Sequence, residues 1–270
     1  YIMILVSKYT AIRQQVRGHL LEVLSIYTNE NKLLPFALAS VWVRKSKETC
    51  KVLYISEVAF KAAKVYGISA SVIASQLVSH FCDCNENFML KAVAGLIYIE
   101  VAPNAIAGCL QSVVEQHRFL ALPHSHTPTL PHSDTPSFLI QYAHARCCSL
   151  LRLARHEGLI SFDQPLQIPW LDSQGKFRFN SHESQRLIAT SVEIIDDLVC
   201  IDVRSPIYWH SKALNLAMAL ECFWRHTRIW GEVKNQPELV SAYIGLIVVT
   251  QQILRLLLEE KLNSAARLEI

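Results

Sequence analysis

The sequence predicts a mainly α protein in which a small α+β domain precedes an all-α helical bundle. Short β-like runs alternate with helical patterns in residues 1–121, whereas the pattern from residue 138 onward is almost wholly helical. Between them, residues 122–137 contain an eight-residue unit written twice with four prolines, which fits neither a helix nor a central strand. We therefore expect domains at 1–121 and 138–270, joined by a linker at 122–137.

In the front domain, segments whose apolar residues recur about every 3.6 residues alternate with segments whose apolar residues recur every second residue. Capping residues and glycines mark the ends of its predicted helices. The predicted elements are, in chain order, a helix over 3–28, short strands within 37–44 and 51–55, a helix that Gly67 ends, a helix that Ser69 caps, one strand over 91–101, and a helix that Asn104 caps.

The second domain carries four long amphipathic patterns, which predict a compact bundle. The stretch 158–180 between the first two patterns is less regular and predicts a short hairpin or an extended loop. The helices are predicted over 137–157, 181–200, 207–232 and 237–260.

Composition and charge limit the possible functions. Apolar residues make up 51% of the chain and charged residues 18%, which permits a sizeable buried core. The net charge is +3: the front domain contributes +4, Asp134 in the linker contributes −1, and the second domain is neutral with fourteen charges of each sign. A broad basic surface is therefore not expected.

The local cluster of Arg44, Lys45, Lys47 and Lys51 is either a solvated loop or a phosphate contact.

The eight cysteines have no spacing typical of a disulfide framework or a zinc site. Three linker histidines, His124, His126 and His132, could bind a metal together, but a solvated linker is preferred because no fourth ligand accompanies them. The sequence shows no signal peptide and opens with an apolar run too short to span a membrane. We expect a cytoplasmic protein with reduced thiols, no cofactor, no metal and no membrane partner.

Functional and structural interpretations are both open for one histidine and for one acidic group. His144 could be catalytic, but no nucleophile accompanies it in the local sequence, and structural packing is the preferred interpretation. Glu193, Asp196 and Asp197 could form a carboxylate site, although an exposed helix face is preferred.

The most specific stretch is FLIQYAHARCCSLLRLA at 138–154. It resembles the helix that opens the DALR anticodon-binding domain of arginyl-tRNA synthetases. The stretch NLAMALECFWRHTRIW, with its aromatic pair Phe223 and Trp224, resembles a later helix of that domain, and residues 239–270 resemble its closing helix and tail. The resemblance implies a bundle of the DALR type. The matching positions in the first helix are Gln141, Tyr142, Ala143, His144, Ala145, Arg146, Ser149, Leu151 and Arg152.

The front domain resembles the N-terminal additional domain of the same enzymes, whose Gly-x-Ile-Asn run corresponds to the run from Gly95 to Tyr98. In those synthetases a large Rossmann catalytic domain separates the two parts. The linker 122–137 takes its place here, and this sequence contains no ATP-binding signature similar to His-Ile-Gly-His. The resemblance therefore implies the tRNA-recognition modules of a synthetase without its catalytic chemistry.

Recognition of an anticodon uses aromatic faces that stack bases and cations that meet phosphates. The resemblance places the elbow of tRNA against Leu96 and Tyr98, where Tyr98 offers a stacking ring in place of an amide. Core packing or a solvated helix face is the alternative for each anticodon-side residue, and Trp230 and Tyr243 are further stacking candidates. The residues expected on the anticodon side are Tyr142, Arg146, Arg152, Trp224, Arg225, Arg228 and Arg255.

Three hypotheses about function follow. The first is a non-catalytic tRNA-binding protein, with arginine tRNA as its candidate ligand, that presents tRNA to a separate enzyme such as a tRNA-modifying enzyme. The second is a repurposed protein-interaction or scaffold module, which the neutral second domain favours. The third and weakest is a subunit that acts in trans in arginyl-tRNA aminoacylation.

Overall fold

The structure is a computed structural model. It divides into two compact units, one formed by residues 11–106 and one from residue 107 onward, and the division lies inside the helix Pro103–Glu115. Of the predicted linker, 122–134 lies outside the described residues, and 135–137 form the first turn of the next helix. The described residues are 11–33, 41–82, 86–116, 135–161, 166–199, 204–230 and 235–269.

The first unit is an antiparallel sheet with helices packed on it. The elements are α1 (Ile12–Glu30), β1 (Val43–Lys45), β2 (Leu53–Ser56), α2 (Val58–Tyr66), α3 (Ala70–Cys82), β3 (Phe88–Val93), β4 (Leu96–Val101) and the start of α4 (Pro103–Glu115). The strand order is β1-β2-β4-β3. Alternate residues of β4 are buried, including Ile97 and Ile99, because the helices cover one face of the sheet.

The prediction of one strand over 91–101 is wrong, because this stretch forms the end of β3, a turn, and β4 of a hairpin. Val93 pairs with Leu96, and the two residues between them, Ala94 and Gly95, have φ values of 50° and 83°. Positive φ at both central residues is the geometry of a type I′ turn. The Ala-Gly pair lacks the asparagine or aspartate that usually marks such a turn, which explains why the sequence pattern was read as continuous.

Helix ends in this unit follow capping chemistry, with one correction. Gly67 ends α2 at φ 68°, as predicted. Asn104 does not cap α4, because the helix begins one residue earlier at Pro103 and the Ala102 carbonyl accepts from the first amide groups. Proline is favoured at the first position of a helix because its fixed φ suits the helix and because an N–H at that position would have no partner within the helix.

The second unit is a helical bundle built around a central apolar helix. The ends of the predicted helices are confirmed to within six residues. By length and composition Pro237–Lys261 could cross a membrane, but 67% of its most apolar window is buried inside the protein, as in the core helix of a soluble bundle. The helices are α5 (Thr135–His156), α6 (His182–Val199), α7 (Pro206–His226) and α8 (Pro237–Leu256), followed by a π-helical turn (Leu257–Lys261).

The segment 166–180 forms the short hairpin that the sequence allowed. Leu171 pairs with Phe177 in an antiparallel bridge, and Asp172 accepts two backbone N–H groups inside the turn. Gln111 of α4 holds the start of the segment, since its amide oxygen accepts from the Ile168 N–H at 3.3 Å and from the Trp170 indole at 3.1 Å.

The interpretation of Glu193, Asp196 and Asp197 as an exposed helix face is wrong. Asp196 and Asp197 are buried and Glu193 is half-buried. Lys212 of α7 pairs with Glu193 and lies 3.4 Å from Asp197, and the Tyr208 hydroxyl donates to Asp197. Glu193 and Asp197 can be buried to this degree because α7 supplies them with a cation and a hydroxyl donor.

Candidate nucleic-acid interface

A groove of about 450 Å³ lies between α5 and α7. The side chains of Ala143 and Ala217 line it from the two helices, and their small size leaves the space open. Its lining is mainly apolar and includes two arginine side chains, an arrangement that suits a flat ring carrying a phosphate. Its other lining residues are Leu139, Tyr142, Arg146, Met218, Leu220, Glu221, Cys222, Arg225 and His226.

One edge of the groove is a ladder of side chains spaced four residues apart on α5. Phe138 stacks on Tyr142 with ring centres 6.1 Å apart and planes inclined by 22°. Arg146 donates to the Tyr142 hydroxyl at 2.9 Å. Residues four apart lie one above the other on a helix, so the periodicity of α5 itself places these three groups together. Tyr142 remains 40% exposed, and so has surface available for a ligand.

Trp224 joins this edge from α7. The Arg146 guanidinium lies 5.0 Å from the centre of the Trp224 ring and 5.9 Å from that of Tyr142. Trp230 meets Trp224 edge to face at 5.9 Å. Trp224 is therefore half-buried beside a cation and a second indole, and it contributes to the groove by orienting Arg146.

Arg225 lines the groove next to Arg146, but it is partly neutralised. Its guanidinium lies 2.9 Å from the Glu221 carboxylate, one helical turn earlier on α7. Both side chains are substantially exposed, so this ion pair contributes little to stability and can exchange for another anion.

Trp224 and the remaining residues predicted on the anticodon side do not line this groove themselves. Arg152 lies 3.2 Å from Glu269 in the C-terminal tail, and Arg255 pairs with Glu259. Arg228 is exposed in the turn after α7. Tyr243 stacks on Phe179 at 5.6 Å and is half-buried among aromatic residues.

The polar residues of the QYAHAR stretch divide between two faces of α5. Tyr142 and Arg146 face the groove, whereas Gln141 and His144 bind the C-terminal tail. The Gln141 amide donates to the Ala265 carbonyl at 2.7 Å and to Ser264 Oγ at 3.0 Å, and its oxygen accepts from the Arg267 N–H at 3.1 Å. Half of this sequence pattern therefore serves the fold and not a ligand.

His144 has a structural role, as its sequence context indicated. It is fully buried, its Nδ1 lies 2.7 Å from the Arg267 carbonyl, and its Nε2 lies 2.9 Å from the Gln251 amide nitrogen. The Arg267 carbonyl accepts only from a protonated Nδ1, and the Gln251 amide N–H donates only to an unprotonated Nε2, so this arrangement has His144 neutral with its proton on Nδ1. Burial lowers its pKa, while the hydrogen bond to the Arg267 carbonyl opposes that change.

One face of the sheet in the first unit is partly exposed. The pairing of strands puts Arg44, Ile55, Tyr98 and Lys91 in one row across the four strands. Tyr98 is half-exposed and Lys91 is exposed. Leu96 lies on the same face, two residues before Tyr98 along β4. The two residues predicted to meet the elbow of tRNA thus share a face with two cations.

Comparison with known proteins identifies a known domain in the helical unit. The DALR anticodon binding domain matches residues 140–259. The chain bears a DALR domain. Curated relatives match the same C-terminal part. They are arginine–tRNA ligases of Pelodictyon phaeoclathratiforme, 33% identical over 129 residues, of Chlorobium phaeobacteroides strain BS1, 34% over 127, and of a Synechococcus strain, 29% over 122.

The similarity to these ligases is partial on both sides. It covers 45% of this chain and 20–21% of each ligase, so the chain spans about a fifth of the length of the curated relatives it matches. The DALR match includes α5 from Ile140 onward and all of α6, α7 and α8, which are the helices that build the groove and its support. The chain is thus similar to arginyl-tRNA synthetases over its DALR domain.

Sequence reasoning missed several groove residues. Leu139 and Met218 line the groove and are 49% and 54% exposed, and Phe138, which stacks on Tyr142 beside it, is 52% exposed. The spacing of Phe138 four residues before Tyr142 was an available signal for a shared face. Met218 could not be placed, because the sequence does not reveal which face of α7 meets α5.

Proposed function

We propose that this protein binds tRNA without aminoacylating it, and that the α5–α7 groove contacts the anticodon arm. The observation that supports this proposal is the position of Tyr142, Arg146 and Arg225 around one groove of a DALR domain. The exposed part of Tyr142 offers a face for an unpaired base, and the two guanidinium groups offer contacts for the adjoining phosphates.

Arg146 is the central residue of this proposed interface. It is held between two aromatic rings and the Tyr142 hydroxyl, so less side-chain freedom is lost when it meets a phosphate. Among the described residues, Arg225 is the one other arginine that lines the groove, and Glu221 offsets part of its charge. We therefore expect a localised contact with a moderate salt dependence, and not the adhesion of a broad basic surface.

The non-catalytic part of the proposal rests on the sequence. The sequence contains no ATP-binding signature, and the similarity to arginine–tRNA ligases described above covers 45% of the chain, in its DALR part. A tRNA-recognition module without chemistry would present its tRNA, with arginine tRNA as the first candidate, to a separate tRNA-modifying enzyme in the cytoplasm. Arginine-dependent exchange of pyrophosphate into ATP by the purified chain would contradict this part.

The groove is tested by titrating the full chain with the anticodon stem–loop RNA of an arginine tRNA at several salt concentrations. Tyr142→Ala should lower affinity by about ten- to a hundredfold with no change of salt slope, because it removes a stacked base. Arg146→Gln should lower affinity and reduce the slope by about 0.7–0.9, because it removes one phosphate contact. Arg155→Gln, an exposed arginine further along α5, is the matched control and should bind as the wild type does.

A second candidate function is protein docking at the same groove. Phe138, Leu139 and Met218 expose apolar surface there, and exposed apolar surface is typical of protein interfaces. The salt titration separates the two functions. Wild-type chain that binds no RNA at low salt, with all variants folded, would contradict the tRNA proposal and favour protein docking.

A further inference from the structure

A set of three metal-capable side chains comes together on α6 and α7 within the described residues. One ligand atom each from Glu183, Cys222 and His226 lies within 4.8 Å of the other two. The three residues supply a carboxylate oxygen, a thiol sulfur and an imidazole nitrogen. Zinc accepts all three ligand types, and in a tetrahedral site such atoms lie about 3.3–3.6 Å apart. Small side-chain rotations would therefore complete the geometry.

Local structure orients each of the three groups. Cys222 and His226 are four residues apart on α7, so they project from the same side of the helix. The Cys222 carbonyl lies 2.9 Å from His226 Nδ1, which places the proton on that nitrogen and leaves the lone pair of Nε2 free for a metal. Ser181 Oγ accepts from the Ser184 N–H at 3.2 Å, which fixes the first turn of α6 that carries Glu183.

Accessibility also suits a metal site. Cys222 is a free, half-exposed thiol, Glu183 is half-exposed, and His226 is exposed, so an ion can reach all three without disturbing the core. Cysteine and histidine together favour zinc over magnesium or calcium, which prefer oxygen ligands.

The geometry points to a zinc site formed by Cys222, His226 and Glu183, in which three protein ligands leave a fourth position for water. Cys222 and His226 also line the α5–α7 groove, so the bound ion borders that groove. Zinc binding requires the thiolate, so the Cys222 sulfur loses its proton to solvent when the metal–sulfur bond forms. The site does not depend on the proposed tRNA function.

The test is a calorimetric titration of the chelator-treated full chain with Zn²⁺, repeated with Co²⁺ to record the thiolate-to-metal charge-transfer band. One ion should bind per chain. Cys222→Ser and His226→Ala should each weaken binding by more than about a hundredfold, since loss of a ligand costs more than loss of its supporting hydrogen bond. Glu183→Gln should weaken binding, and the charge-transfer band should disappear only in Cys222→Ser.

Matched controls separate this site from other metal ligands in the chain. Cys50→Ser and His210→Ala remove a half-exposed cysteine and another α7 histidine, and both should bind Zn²⁺ as the wild type does. Replacement of His124, His126 and His132 by glutamine tests the linker histidines and should also leave binding unchanged. Loss of binding in that linker variant, or wild-type affinity in both Cys222→Ser and His226→Ala, would overturn the proposal.

A measurement on the wild type covers the case in which a variant fails to fold. Saturating Zn²⁺ should protect Cys222 from alkylation by iodoacetamide while Cys50 stays reactive, as peptide mass analysis would show. Equal alkylation of Cys222 with and without Zn²⁺ would overturn the zinc site independently of any substitution.

Discussion

At the scale of single residues, one side-chain pattern on α5 serves two purposes. Gln141 and His144 hold the C-terminal tail, and Tyr142 and Arg146 face the groove. The sequence alone shows that polar residues recur inside a helix. It cannot divide them between a ligand and the protein itself, because that division depends on where residues 264–269 pack. Their partners lie more than 120 residues away along the chain.

The buried His144 predicts a pH dependence of folding. Burial lowers its pKa in the folded state, whereas the unfolded chain has a histidine pKa of about 6.5. The unfolded state therefore binds more protons below that value, so the stability from neutral His144 is present above about pH 6.5 and is lost as pH falls through the folded pKa. Urea unfolding between pH 7.5 and 5 should show this loss. His144→Gln should be less stable at pH 7.5 and should show a weaker dependence on pH.

Two helical glycines make opposite predictions for the same substitution. A Cβ at Gly245 of α8 would lie 2.7 Å from Ile168 and 2.8 Å from Trp170, whereas nothing lies within 4 Å of the corresponding position at Gly18 of α1. Gly245→Ala should destabilise the protein by about 1–3 kcal/mol, because it overpacks the contact with the 166–180 segment. Gly18→Ala should stabilise it by about 0.4–1 kcal/mol. Thermal unfolding of both variants provides the comparison. A stabilised Gly245→Ala would show that the 166–180 segment shifts to accommodate the added methyl group.

At the scale of elements, the long helices were predictable and the turns less so. Apolar periodicity over about twenty residues identified α5, α6, α7 and α8, because such a pattern has few alternative structures. The hairpin at Ala94 and Gly95 was missed because its turn lacks asparagine. Glu193 and Asp197 of α6 were placed wrongly because their partners Lys212 and Tyr208 belong to another helix.

The candidate site residues also divide into those that the sequence predicts and those that it does not. Tyr142, Arg146 and Arg225 could be proposed from the resemblance and from residue chemistry. The Glu183–Cys222–His226 cluster was missed, although the spacing of Cys222 and His226 by four residues was a usable signal. Its third member lies on α6, and sequence alone does not show which face of α7 meets the start of that helix.

The contact between α5 and the C-terminal tail gives a prediction at this scale. Gln141→Ala removes three hydrogen bonds and leaves the Ala265 carbonyl and the Arg267 N–H without this partner. We expect a loss of about 1–3 kcal/mol in the free energy of unfolding, together with faster hydrogen exchange at residues 264–268. Gln76→Ala, at an exposed position of α3, is the control and should change stability by less than about 0.5 kcal/mol. Unchanged exchange in Gln141→Ala would show that other contacts hold the tail.

At the scale of the whole molecule, the two units would contribute differently to RNA binding. The positive balance of the sequence lies in residues 1–121, whereas the part from residue 138 is neutral. The helical unit then contributes a localised contact at the groove, and the sheet of the first unit contributes cations beside Tyr98. If both units bind one tRNA, substitutions in the two units should differ in how they change the affinity for full-length tRNA and for a shorter fragment of it.

The decisive comparison uses full-length arginine tRNA and its isolated anticodon stem–loop with the full chain. Arg146→Gln should weaken binding of both RNAs, because the groove is proposed to contact the anticodon arm that they share. Lys91→Gln, opposite Tyr98 on the sheet, should weaken binding of full-length tRNA alone and reduce its salt slope by about 0.7–0.9. Lys64→Gln, an exposed cation on α2, should change neither affinity. Equal weakening of both RNAs by Lys91→Gln would contradict an elbow contact, because the stem–loop has no elbow to lose.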